Sequence, residues 1–323
     1  MKLCMALLLI ALGAGTAQAQ KTVLRFSTAA PPPDFLSRSL GQFKAELEKA
    51  APELDVQVYP GSQLFRQGTE VPALQRGNLE MSTMTTFEVA QQIPELGLFN
   101  RAYLFRDYDH AYKTFTRAVG KRYADAVAQK MGIVILAPTY LGTRQVNLRA
   151  ARDVKGPQDL SGVKMRMPAG PEWLLLGQAI GVTPTPMAMP EVYLALQTGS
   201  IDGQENPLTI LNAAKFHEVT KQVVMTSHLV QPVFMAIAKP YFDKLSAEQR
   251  KKVTDAAVRA AKWNDEQRLG DEQKVADGLA AKGLTVSRPD LAPFRANADK
   301  VYAASDLAKA WDRKLLDEVA AVR

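Results

Sequence analysis

Arg166 stands in the segment Val163-Lys164-Met165-Arg166-Met167-Pro168, where charged and apolar side chains alternate strictly. Alternation of this kind describes a strand, with Lys164 and Arg166 on one face and Val163, Met165 and Met167 on the other. If the odd-numbered side chains enter a core, Arg166 faces a cleft or solvent. A guanidinium can grip a planar carboxylate through two parallel hydrogen bonds, a geometry that lysine cannot reproduce. The same residue is equally suited to a structural ion pair. Arg144, in Gly142-Thr143-Arg144-Gln145, is a second basic residue in an extended segment. Asn206 follows two glycines in Gly199-Ser200-Ile201-Asp202-Gly203-Gln204-Glu205-Asn206-Pro207. Its carboxamide offers both a donor and an acceptor, fit for a carboxylate, a hydroxyl or the bracing of a turn.

Bond-making chemistry finds less support. The chain has three histidines, His110, His217 and His228, and none has the spacing of a metal or metalloprotease motif. Their expected roles are packing and capping through hydrogen-bonded rings. Nucleophile-elbow, phosphate-loop and dinucleotide motifs do not occur. The one cysteine, Cys4, falls in an N-terminal stretch that reads as a leader, which removes thiol catalysis and cysteine-ligated metals from the rest. The residues thus offer no motif for a catalyst, and no cofactor and no metal is expected.

The elements that must position these residues alternate in type. Val23 to Ser27 reads as a strand ended by Pro31-Pro32-Pro33, and Asp34 can cap a helix whose Leu36, Leu40, Phe43 and Leu47 share one side. Leu54 to Tyr59 is a second strand. A short helix over Val71 to Arg76 and a strand over Leu79 to Met84 repeat the unit. A single helix over Asp109 to Lys130 and an apolar strand over Ile133 to Leu136 follow. Strands buried between amphipathic helices mark an α/β sheet covered on both faces. Further helices are expected over Glu172 to Ile180, Glu191 to Thr198 and Asn212 to Glu218, with Gly199 as a C-cap. His228 to Ala238 is extended enough to bridge two domains. Ser246 and Gln249 form a capping box that opens a helical pattern to Gly283, either one bent helix or two broken near Gly270. A last helix is expected over Leu307 to Val322.

Residues 1–19 combine Lys2, an apolar run and Ala17-Gln18-Ala19, the pattern of a cleaved secretory signal peptide. The formal charge is +7, yet bases and acids are interleaved, as in Lys262-Trp263-Asn264-Asp265-Glu266-Gln267-Arg268. Such a face is solvated rather than a phosphate track, so no nucleic-acid partner is expected. A positive surface can still steer a small anion toward a cleft.

Three segments carry a family likeness: Leu160 to Pro168, the run from Thr183 to Pro207, and Lys215-Phe216-His217-Glu218-Val219. They resemble the DctP-type periplasmic substrate-binding proteins of TRAP transporters, distantly like the sialic-acid-binding members. The resemblance implies an α/β, two-lobed periplasmic binding protein fold, with a cleft between lobes, crossing strands and a long helix spanning both. Lobe I would hold residues 20–141 plus 232–271, and lobe II residues 142–231 plus 272–323. The implied function is capture of an organic acid, a monocarboxylate or sugar acid, in the periplasm for delivery to a sodium-coupled membrane permease. The implied partners are a small-molecule carboxylate and the TRAP permease subunits, with the receptor a monomer. An extracytoplasmic sensing subunit is the second reading.

The resemblance also assigns residues. The arginine of its Lys-x-Arg-x-Pro segment is Arg166 here, that of Gly-Thr-Arg is Arg144, and the asparagine of Gln-Glu-Asn-Pro is Asn206. Lobe II would add Met189, which replaces an aromatic residue, and lobe I would supply Phe35, Gln67, Thr85 and Phe87; from the residues alone, Trp173 and Phe87 either stack on an aromatic acid or belong to the core. Where the sialic-acid binders have Gly-Glu-Ser-Ala-Arg, this chain has Met84-Thr85-Thr86-Phe87-Glu88, so a carboxylate and an arginine are lost. That departure argues against sialic acid, whose polar groups would be buried without partners. Arg149 and Arg152 either engage a second carboxylate or coat lobe II.

Overall fold

The computed structural model describes residues 21–323, and the leader reading therefore lies outside the described residues. Strand β1 (Thr22–Ser27) leads through the triple proline to α1 (Phe35–Ala50). Asp34 caps that helix, accepting from Leu36 N–H at 2.9 Å, and Leu36, Leu40, Phe43 and Leu47 are buried as their spacing requires. Next come β2 (Leu54–Tyr59), α2 (Glu70–Gln75), β3 (Met81–Thr85) and α3 (Thr86–Ala90). The expected single helix over Asp109 to Lys130 is instead two, α4 (Tyr108–Thr116) and α5 (Ala118–Met131). Arg117 between them is extended, and the chain folds back so tightly that a Cβ on Gly120 would overlap the Phe115 carbonyl.

Strand β4 (Ile133–Leu148) is far longer than the four apolar residues that announce it. It is followed by β5 (Lys164–Met167), α6 (Pro171–Ala179), β6 (Thr183–Pro186), α7 (Val192–Thr198) and β7 (Gly203–Pro207). Gly199 ends α7 in the left-handed region, as its C-cap position demands. The helix expected over Asn212 to Glu218 is displaced: α8 spans Leu208–Ala213, and a separate 3₁₀ turn at Phe216–Glu218 begins after Lys215 takes φ 58°. After β8 (Gln222–Ala238) and α9 (Lys239–Lys244), α10 (Ala247–Ala281) runs 35 residues without a break at Gly270. The chain closes with β9 (Thr285–Ser287), α11 (Ala292–Ala304), α12 (Asp306–Lys309) and α13 (Arg313–Ala321). The single terminal helix expected there divides because Asp312 N–H bonds Glu95 O and the Asp312 side chain caps α13.

The nine strands of the described residues join one mixed sheet, in the order β2-β1-β3-β8-β4-β7-β5-β6, with β9 also on β8. The outer strands pair mostly in parallel, while β4 and β8 run antiparallel through the middle. Strand β8 changes its outer partner along its length, and β4 has one only over its second half. β8 meets β3 over Val233–Ile237 and β9 over Gln222–Val224; β4 meets β7 over Arg144–Leu148. Their mutual register slips at three places, one of them between Tyr140 and Gly142. A bulge there bends the ribbon between the two ends of the sheet.

Helix α10, about 52 Å long at 1.5 Å per residue, ties those ends together. Its alanines Ala256, Ala257 and Ala260 let it press closely on α1 and β4, in one core with Phe26, Phe43 and Val56. Its far end buries Ala276 and Leu279 in another core with Ile201, Leu211 and Phe216. A third core joins Phe99, Phe115 and Tyr123 to Met165, Leu176 and Trp311. Among the described residues, no helix is long and apolar enough to cross a membrane.

Candidate functional site

Strand β5 behaves as its alternation requires. Met165 and Met167 enter a hydrophobic core, Lys164 is exposed, and Arg166 is 1% exposed because it turns into a cavity instead of solvent. The cavity, about 80 Å³, lies between the β5 to β7 region and a wall built from residues 28–36 and 67–88.

Two of the Arg166 nitrogens are held in place. Nε donates to Met187 O at 2.8 Å and Nη2 to Gln67 Oε1 at 2.8 Å. Neither acceptor is charged. Arg166 takes part in no ion pair among the described residues, and burial lowers its pKa to about 9, against the favourable but distant field of Glu205. The other fully buried arginines are matched. Arg268 pairs with Asp34. Arg144 presents Nε and Nη2 to the Glu205 carboxylate, the second at 2.6 Å, and Nη1 to Gln231 Oε1 at 2.7 Å. Arg166 is thus a desolvated cation without its anion.

Around Arg144 the polar groups form a chain. Glu205 also accepts from His228 Nε2 at 3.0 Å, and His228 Nδ1 meets Thr226 Oγ1 at 2.8 Å. Burial opposes the Glu205 charge, but Arg144 and the His228 bond outweigh it and hold the carboxyl below its ordinary pKa. Burial pushes His228 down, so its ring is neutral at pH 7. The expected hydrogen-bonded histidine is therefore found, in a network joining β4, β7 and β8.

Of the residues singled out in sequence, the structure brings Arg166, Arg144, Asn206, Met189, Trp173, Gln67 and Thr85 to the cavity lining. Asn206 is held by its amide group, which donates to Gln204 Oε1 at 2.7 Å. Gln67 is a double acceptor, since the same oxygen also takes Met189 N–H at 2.8 Å. Trp173, on α6, lies under the Arg144 guanidinium at 4.9 Å and stacks on Phe87 with ring centroids 3.5 Å apart.

Two of the residues do not line the cavity. Phe35 packs against Trp263 of α10 at 6.3 Å, and its neighbour Leu36 takes the lining position, because the first turn of α1 rotates Phe35 outward. Phe87 is 1% exposed and acts behind Trp173. Arg149 and Arg152 also lie elsewhere, in a small hollow with Asp202 and Val163. Sequence reasoning missed Glu70, Glu88, Thr83 and Gln231, which do line it. Glu88 carried a signal, three residues after Thr85 in a capping-box spacing; the others had none.

Comparison with known proteins gives the family and the fold. A solved TRAP periplasmic solute-binding protein from Roseobacter denitrificans, with bound 3-deoxy-D-manno-oct-2-ulosonic acid, superposes with a TM-score of 0.90. It is 38% identical and matches over 94% of this chain and 100% of that one. The sialic acid-binding periplasmic protein SiaP of Vibrio cholerae is 30% identical over 79% of each chain. The 2,3-diketo-L-gulonate-binding periplasmic protein YiaO of Escherichia coli is 33% identical over 74% of this chain and 72% of its own. Residues 26–308 match the family described as bacterial extracellular solute-binding protein, family 7. The chain belongs to that family, as a periplasmic solute-binding protein of the TRAP transporter type and a transport component rather than a catalyst.

Proposed function

We propose that this protein captures an organic acid bearing one carboxylate, of the sugar-acid type, and delivers it to the membrane subunits of a sodium-coupled TRAP transporter. The observation that carries this reading is the lone charge of Arg166, buried in a cavity where Arg144 is already neutralised by Glu205. A ligand carboxylate supplies the missing anion, and Asn206 and Trp173 bound the same space. Relatives with bound or named sugar acids support the ligand class.

The proposed lobes are residues 20–141 plus 232–271 and residues 142–231 plus 272–323. Their boundaries fall where β4 and β8 slip register, at Tyr140/Gly142 against Pro232/Gln231, which is where a ribbon bends most easily. Binding is then a ligand-shifted equilibrium between open and closed forms.

Calorimetry tests the anchor. Arg166→Ala should weaken binding by about 30-fold to several thousand-fold, the effect of truncating a desolvated charge pair. Arg166→Lys keeps the charge and loses the fork, and should fall between. Binding by Arg166→Ala within about threefold of wild type would reject the assignment.

A further inference from the structure

The wall that faces Arg166 carries two acids that no cation answers. Glu70, at the start of α2, is 3% exposed, and Glu88 is in the first turn of α3; both line the cavity. Neither belongs to an ion pair among the described residues. The nearest basic residue in sequence, Arg66, turns outward to Glu191 at 2.6 Å. Each carboxyl is oriented by local bonds. Glu70 Oε2 accepts from Gly68 N–H at 2.8 Å, and Glu88 Oε2 accepts from Thr85 N–H at 2.7 Å and Thr85 Oγ1 at 2.8 Å.

Counting charge in this space gives a simple result. Arg144 is offset by Glu205, so among the described residues that line the cavity Arg166 is the one cation left for a ligand. One carboxylate satisfies it. A second carboxylate would meet no cation and would lie against Glu70 and Glu88. A hydroxyl group fits there, because it can donate to a carboxylate and accept from a carboxylic acid.

We infer that Glu70 and Glu88 make the cavity a filter for hydroxylated monocarboxylates: Arg166 takes the carboxylate, the two acids take hydroxyl groups, and a dicarboxylate of equal size is rejected. The inference rests on the anchor role proposed above for Arg166. Where these acids are ionised, rejection is by unpaired like charge, and where burial keeps them protonated the second carboxylate is still buried without a cation; charge built against the wrong ligand is a route to specificity. Burial, with a smaller contribution from Glu88, pushes Glu70 up to about 8, and burial also raises Glu88. The groups facing this pair are each other, Arg144 and Arg166 across the cavity, and the Tyr123 phenol behind α3. The wall therefore offers both donors and acceptors near neutral pH.

The test compares matched acids by calorimetry at about pH 9, above the Glu70 value of about 8: D-galactonate with galactarate, D-gluconate with D-glucarate, and D-erythronate with meso-tartrate. Within each pair the chains are equal and a terminal hydroxymethyl becomes a carboxylate. Wild type should prefer the best-bound monoacid over its diacid by about 100-fold or more. Glu70→Gln, Glu88→Gln and the double variant should shrink that ratio by about tenfold or more, chiefly by admitting the diacid. Equal binding of monoacid and diacid by wild type would overturn the inference, as would an unchanged ratio in the double variant or no binding by any monoacid in the panel. Tight binding of a carboxylate without hydroxyls, lost in Arg166→Ala, would sink the filter and leave the anchor standing. Persistence of monoacid binding in Arg166→Ala would sink the anchor itself.

Discussion

Three buried arginines look alike in sequence and differ only in what surrounds them. Arg166 was legible because β5 alternates and because Lys164 and Met165 fix which face is which. The neutralisation of Arg144 was not, since Glu205 lies 61 residues away and His228 a further 23. Pairing of that kind is set by strand order, which no local pattern encodes. Glu70 shows the same limit: nothing near it in sequence says that α2 will be packed over a cavity. Its burial makes a checkable pH effect. The folded protein holds the Glu70 proton up to about 8, whereas the unfolded chain releases it near 4.5, so stability from this group is present at low pH and is lost as pH rises through that window. Glu70→Gln should melt progressively higher relative to wild type between about pH 5 and about pH 9. Parallel melting curves for the two proteins across that range would mean that water reaches the carboxyl.

Helices with clear stripes and caps were legible as elements. The α1 stripe, the Ser246 capping box and the Gly199 cap are all where periodicity and cap chemistry put them. Breaks inside long patterns were not, because the Arg117 and Asp312 interruptions come from contacts made elsewhere in the chain. The glycines divide the same way. Gly142 sits at φ 126° on the β4 bulge, and a Cβ there would overlap the ring of Pro207, the last residue of β7. Gly270 lies in mid-helix on an open face, where an added Cβ meets nothing. Gly142→Ala should therefore destabilise by roughly 1 to 3 kcal/mol, and Gly270→Ala should stabilise by up to about 1 kcal/mol. Urea denaturation of both variants checks the pair; equal shifts would mean that the bulge relaxes freely.

At the scale of the whole molecule, the contacts between the two walls of the cavity include Gln67 with Arg166 and Met189, Arg66 with Glu191, and Phe87 with Trp173. The exposed Arg66 pair contributes little at ordinary salt. The aromatic stack excludes water from the seam, and parting it would wet one face of Trp173. Ligand addition should thus shift intrinsic tryptophan emission, and Trp173→Phe should abolish most of that change although Trp263 and Trp311 remain. An emission spectrum indifferent to a saturating ligand would show that this seam does not open.

Helix α10 has one end fixed in the core beside α1 and the other in the core beside α8, with no interruption between. A rod clamped at both ends bends like a leaf spring instead of swinging like a door on a free pivot. Any widening of the cavity must then flex roughly ten helical turns a little each, so the amplitude is bounded and the restoring force acts whether or not a solute is aboard.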